Sequence, residues 1–360
     1  MVAKFNMSRR KIISAAVSAI AFAHIAHAQS SGDRKGLCSA RARQTATGVR
    51  YEAAVVEVRN DGTLTELCSV TLPGRGHGVI AAPERGEFYV CARRPGAWIL
   101  RIRAADGTVL ARYSNGGRRW LQGHVCLSAD GSHVYASEVA LDERSSIAVL
   151  DARTLTRLGT LSIDGTEPHD LLLADASTLL VAHGGRRDTF RTSDALQPDA
   201  RCESALSWID IATGRTMHAI QPEDSRVSLR HLAKVDHAKW VVGAQSDATE
   251  HLEVVGLATT NGLRWLTGSS GAADNYIASV AVSNREMLAA APHSGIVLAW
   301  NEVNSLPESR AHPRACGIVV SRDRTWISDE FGSIEEFKTT NAHPTGNDVA
   351  WDNHMTVISI

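Results

Sequence analysis

The chain has 360 residues, 44% of them hydrophobic, enough to bury a large core in one repeat-built domain. It carries 38 Lys and Arg against 39 Asp and Glu. The pairs Arg93-Arg94, Arg118-Arg119 and Arg186-Arg187 stand isolated, so no clustered basic face offers itself to nucleic acid.

The N-terminus reads as an export signal over residues 1–28. Lys4, Arg9, Arg10 and Lys11 precede an apolar stretch from Ile12 to Ala26, and Ala26-His27-Ala28 offers a small-x-small cleavage site. Ser8-Arg9-Arg10-Lys11-Ile12-Ile13 resembles a twin-arginine signal, which predicts a periplasmic protein. The apolar stretch is too short and too well flanked for a stable membrane span, and nothing after it approaches one. Removing residues 1–28 leaves 34 basic against 39 acidic residues, a net charge of −5. Residues 29–37 read as a flexible mature N-terminus and 38–360 as a single domain. The six cysteines (38, 68, 91, 126, 202 and 316) form no C-x-x-C and no C-x-x-C-H, so the sequence predicts neither a thioredoxin-type redox pair nor covalent haem.

From residue 77 onward one offset repeats. His124 is followed fourteen positions later by Glu138, His169 by His183 and His231 by Gln245. His77 needs one extra residue to reach Ala92, just before Arg93-Arg94, and Ser279 to His293 and Cys316 to Glu330 keep the spacing with altered openers. The stretch from His124 to Glu138 is an apolar run, a turn at Asp130-Gly131 and a second apolar run, which predicts a β-hairpin. Second pairs follow, as in Trp98–Tyr113, Ser146–Leu161 and Leu206–Ile220, so each unit is four strands. A competing β-sandwich would not keep a constant offset.

Anchors at 77, 124, 169, 231, 279, 316 and 354 predict an all-β, seven-bladed β-propeller with four-stranded blades. His354 leaves room for one strand before Ile360, while residues from about 40 to 72 supply three strands without an opener. The last blade is therefore expected to close by joining the C-terminal strand to the N-terminal strands, which removes open edges.

In a blade the innermost strand lines the axial channel, and the first hairpin returns the chain to the face where it began. The openers are thus expected to converge at one channel mouth as metal ligands: His77, His124, His169, His231 and His354. A second tier at the mouth is expected from Arg94, Glu138, Asp170, His183, Arg230, Gln245, Asn275, His293 and Glu330. Imidazoles with carboxylates behind them suit Fe, Cu or Zn.

The anchors also carry a resemblance. "PGRGHG" (Pro73–Gly78), "ARRPG" (Ala92–Gly96), Gly123-His124, "EPHDL" (Glu167–Leu171), "RHLA" (Arg230–Ala233), "NYIASVAV" (Asn275–Val282), Cys316-Gly317 and "WDNH" (Trp351–His354) occur in one order. Together they resemble a family of exported bacterial β-propeller proteins of unknown function, often encoded near imelysin-type iron-uptake proteins. That resemblance implies periplasmic iron-uptake proteins as partners and brings no established reaction. His183 stands where the resemblance leads one to expect Asn.

The reading that follows is a periplasmic propeller that binds a transition metal or a metal-bearing ligand. A metal-free scaffold for a protein or small ligand is the alternative. A lactonase-like hydrolase is a third reading, and would need Glu138, Asn275 and Glu330 to converge. No G-x-S-x-G or H-E-x-x-H motif supports an enzyme. The step from His169 to His231 is longer than the others, and its polar excess, Arg186–Ser204, is expected to lie across or beside the mouth as a lid.

Overall fold

A computed structural model describes residues 35–59, 63–186, 201–321, 324–338, 342–344 and 348–360. Seven four-stranded antiparallel sheets stand around one axis, as the repeat predicts. Six follow one another along the chain, with innermost strands Gly76–Ala82, Arg119–Leu127, Pro168–Asp175, Val227–Lys234, Ser279–Ser283 and Ala315–Ser321. The seventh takes its innermost strand, Val349–Ser359, from the C-terminus and its outer three, Lys35–Thr45, Gly48–Val58 and Leu64–Thr71, from the N-terminus. Lys35 pairs with Ser359, and Ser39 Oγ donates to the His354 carbonyl at 2.7 Å. Each innermost strand packs on the next, and Ala315–Ser321 packs on Val349–Ser359 to complete the ring.

The local chemistry explains these elements. The turn at Asp130-Gly131 joins Arg119–Leu127 to His133–Ala140; Gly131 takes φ 67°, while Asp130 accepts the Ser132 amide at 3.0 Å. Second strands such as Glu87–Ala92 and Thr178–His183 are buried along their whole length because neighbouring blades cover both faces. This is why they read as continuous apolar runs instead of alternating ones. The core lies between blades. Phe88, Val90 and Leu100 of one blade pack with Cys38, Val55 and Ile358 of the closing blade.

One irregularity recurs where the anchors lie. Pairing register slips between Gly76 and Val79, between Leu121 and Val125, between Pro168 and Leu171, between Leu229 and His231, and between Ala315 and Ile318. The C-terminal strand slips between Trp351 and Met355. Ser279–Ser283 pairs without a slip. A bulge adds residues to one strand and turns their side chains off the regular face. Here it turns them toward the axis.

The bulges of neighbouring blades nearly touch. A Cβ on Gly78 would sit 2.4 Å from the Gly123 carbonyl oxygen, a backbone atom that cannot rotate away. Gly78→Ala is therefore expected to destabilise the protein by about 1–3 kcal/mol, the usual range for an overpacked site. Thermal unfolding of the chelator-treated variant checks this; an unchanged midpoint would mean that the blades can part without cost.

Candidate metal centre

Five imidazoles meet on the axis. The His124 ring centroid lies 5.0 Å from that of His77, 4.6 Å from His169, 5.8 Å from His231 and 4.6 Å from His354. His77 and His354 are 4.6 Å apart, and His169 and His231 5.3 Å. The innermost strands bring these rings into one cluster of mutual ring contacts instead of spacing them around an open mouth. His77, His124, His169 and His231 are buried and His354 is half-buried.

Two triads have ligand atoms within 4.8 Å of one another: His77, His124 and His354, and His124, His169 and His231. His124 belongs to both. Such spacing is within reach of one ion after small rotamer changes, since metal–imidazole bonds are about 2.0–2.1 Å. His124 Nε2, His231 Nδ1 and His354 Nε2 are buried without a hydrogen-bond partner among the described residues. Unpaired buried nitrogens are costly, and a cation is one partner that would satisfy them.

Carboxylates orient two of the rings. His77 Nδ1 donates to Asp352 Oδ1 at 2.6 Å, which leaves its Nε2 lone pair for a ligand. His124 Nδ1 lies 3.2 Å from Asp170 Oδ1. Asp170 also accepts the amides of Leu171 and Leu232, so it ties two blades together behind the ring. Burial outweighs the neighbouring carboxylate and holds the His77 pKa below the usual value. Burial, aided by adjacent imidazoles, holds His169, His231 and His354 well below it. These rings are neutral at pH 7, the form that binds metal.

His169 differs. Its Nδ1 lies 3.3 Å from Arg230 Nη1, which can only donate. Arg230 is fully buried and pairs with Glu167 at 2.5 Å; Glu167 also binds the Arg94 guanidinium and accepts the Arg186 amide at 3.0 Å. Glu167 holds a left-handed φ of 55°, and burial notwithstanding, Arg230 and Arg94 keep it ionised. Arg94, Glu167, Arg186 and Arg230 thus form one polar cluster beside the imidazoles.

The rest of the expected second tier is dispersed. Glu138 turns outward and is held by Arg157 of the outermost strand at 2.5 Å and by Ser146 at 3.0 Å. His183 is buried with neither nitrogen bonded, against Gly165, and burial pushes its pKa down to about 4. Asn275 caps the 248–252 loop by donating to the Ala248 and Glu250 carbonyls and accepting the Leu252 amide. His293 is exposed and stacks on Tyr276 at 4.5 Å. Glu330 pairs with Arg314, and Gln245 bridges by its backbone to Tyr276. Glu138, Asn275 and Glu330 share no partner among the described contacts, so the convergence on which the lactonase reading depended is absent there.

Replacing Glu138 with alanine leaves Arg157 and Arg119 without their shared carboxylate but touches no imidazole. The expected result is a loss of about 1–3 kcal/mol of stability with metal binding unchanged. Denaturant melts and metal titration of the same sample check the two halves.

Tyr276, Arg75 and Glu167 lie inside the motifs that carry the resemblance, but none of them is among the expected site residues. Tyr276 is half-buried, and its hydroxyl accepts from Asn353 at 3.3 Å, one residue before His354. Arg75 donates to Asp352 at 2.9 Å. An aromatic ahead of the fifth innermost strand, Ser279–Ser283, was the available signal for Tyr276. Of the expected lid, residues 187–200 lie outside the described residues. Its flanks are anchored near the cluster: the Glu203 amide donates to the Gly185 carbonyl, and Ser204 Oγ to that of His183.

A seven-bladed propeller with a cluster of histidines on its axis is the class of protein these observations define. The chain belongs to the family described as a protein of unknown function (DUF1513), whose profile matches residues 70–358. No curated protein matches it. It is similar in fold to the C-terminal WD40 domain of Sif2, with 9% identity, 85% of this chain and 82% of that chain covered, and a TM-score of 0.52. It is also similar to a chain of the nidogen/laminin complex, with 10% identity, coverage of 91% and 98%, and a TM-score of 0.51. At such identities the likeness carries the fold alone.

Proposed function

We propose that this protein is an exported periplasmic propeller that binds a transition-metal ion (iron, copper or zinc), or a metal-bearing ligand, in its histidine cluster. Its role in this reading is metal uptake or handling, with periplasmic iron-uptake proteins as partners. The observation that carries it is the meeting of five imidazoles from five blades, three of them with a buried nitrogen that has no partner. Imidazoles, two with a carboxylate at Nδ1, are the donor set such ions take. The compartment rests on Arg9-Arg10 and the apolar stretch that follows.

Elemental analysis of the mature protein, isolated from the periplasm without chelator, tests the reading. One equivalent of a transition metal is expected. Protein that arrives without metal and binds none at micromolar concentration would leave the metal-free scaffold in its place.

A further inference from the structure

Beside the imidazoles, the Arg230 guanidinium leaves three of its five N–H groups without a partner among the described residues. The side chain is 1% exposed. Nη1 is used twice, for Glu167 at 2.5 Å and His169 at 3.3 Å. Nε and Nη2 are both buried and have no partner among the described residues. These two nitrogens form the side-on edge of a guanidinium, the edge whose two parallel N–H groups match the two oxygens of a carboxylate or phosphate. A single stray nitrogen could be a packing accident. A whole unused edge on a buried cation leaves two charged donors desolvated with nothing to offset the cost.

The charge count points the same way. Arg94 and Arg230 share one carboxylate, Glu167, while the Arg186 side chain is taken by Asp247 at 2.6 Å. The cluster therefore holds one more guanidinium than carboxylate. The surroundings are also shaped to the cation: a Cβ on Gly184 would lie 2.8 Å from Arg230 Nη1 and 2.5 Å from Glu167 Oε2, so only glycine lets the backbone pass so close.

We propose that the Nε/Nη2 edge of Arg230 is the receptor for a small oxyanion, a carboxylate or phosphate group, bound next to His169. This extends the metal reading, since an anion beside the imidazoles would offset the charge of an ion in them. The edge is present whether or not metal is bound, so the two ideas can fail separately.

The experiment uses the mature, chelator-treated protein, titrated calorimetrically with formate and, in a second arm, inorganic phosphate, at constant ionic strength. Saturable one-to-one binding of at least one anion is expected. Arg230→Lys keeps the charge opposite Glu167 but removes the fork, and should weaken that binding at least tenfold. Glu167→Gln keeps the fork, frees Arg230 of its competing carboxylate and should tighten binding severalfold; it serves if Arg230→Lys does not fold. Wild-type protein that saturates with neither anion, or variants that bind as wild type does, would overturn the proposal. A parallel Co²⁺ titration separates the readings. Co²⁺ bound without either anion sinks the oxyanion site alone. An anion lost in Arg230→Lys from protein that takes no Co²⁺ upholds the site and sinks the metal reading.

Discussion

Replacing His124 alone with alanine is expected to abolish stoichiometric metal binding. The other histidines divide into two pairs, His77 with His354 and His169 with His231, and His124 completes the triad on both sides. Removing any other ring leaves one triad whole. Removing His124 leaves two pairs, and two imidazoles do not hold an ion against water and competing chelators. Even altering a group behind a ligand costs roughly 10–100-fold in affinity, so losing the shared ligand should cost at least the top of that range. The fold should survive, because His124 makes no side-chain hydrogen bond at Nε2 and its strand is paired on both sides of the bulge. Elemental analysis and competition with a chromogenic chelator check this, with His293→Ala as the exposed control. A His124→Ala protein that keeps one equivalent of metal would place the ion elsewhere.

Acid should unfold the metal-free protein well before its carboxylates are titrated. Burial lowers the folded-state pKa of His183 to about 4 and holds His169, His231 and His354 well below the usual value. The unfolded chain binds protons on these rings near pH 6.5, and the folded protein does not. Between the two values the unfolded state carries more protons, so stability is full above about pH 6.5 and is lost as the pH falls. For His183 the gap corresponds to about 3 kcal/mol. The central rings add to it in the same direction. Below about pH 4 the depressed carboxyls of Asp352 and Glu167, the latter neutralising Arg94 and Arg230, continue the decline as they protonate. Urea melts of chelator-treated protein at about pH 7.5, 6 and 5 should show a midpoint that falls steadily. A flat midpoint across that window would mean that the rings are hydrated or protonated in the folded state.

The repeat made the fold legible because each unit wrote the same hairpin in the same register, with turns such as Asp130-Gly131 where the strands reverse. The closing of the ring was legible too, since His354 had one strand after it and residues 40–72 had three strands without an opener. The histidine openers were visible for the same reason. The residues fourteen positions on share a site with the openers only if both strands alternate regularly, and they do not. Opposite Glu138 stands Leu121, not His124, since the bulge inserts residues between them. The opener swings to the axis while its partner keeps the ordinary face of the second strand, and Glu138 ends beside Arg157. Nothing in a single sequence marks a bulge of this kind unless glycines such as Gly78 and Gly123 are weighed as signs of close approach. Arg230 and Glu167 escaped as a pair because they lie 63 residues apart and meet only when two blades pack.

The last eleven residues of strand, Val349–Ser359, carry both His354 and Asp352, while the strand beside them comes from the opposite end of the chain. The site is therefore incomplete until the two ends have met. An ion held by His77, His124 and His354 would stitch the C-terminal strand to two blades other than the one it completes. It would act as a rivet across the place where a closed ring is weakest. At a free concentration a hundred times its Kd, a ligand that binds only the folded form adds about 2.7 kcal/mol. In this protein that gain would fall on the joint between the termini. Loading the site and locking the ring would then be a single equilibrium, and a chain cut short before Val349 would lose both at once.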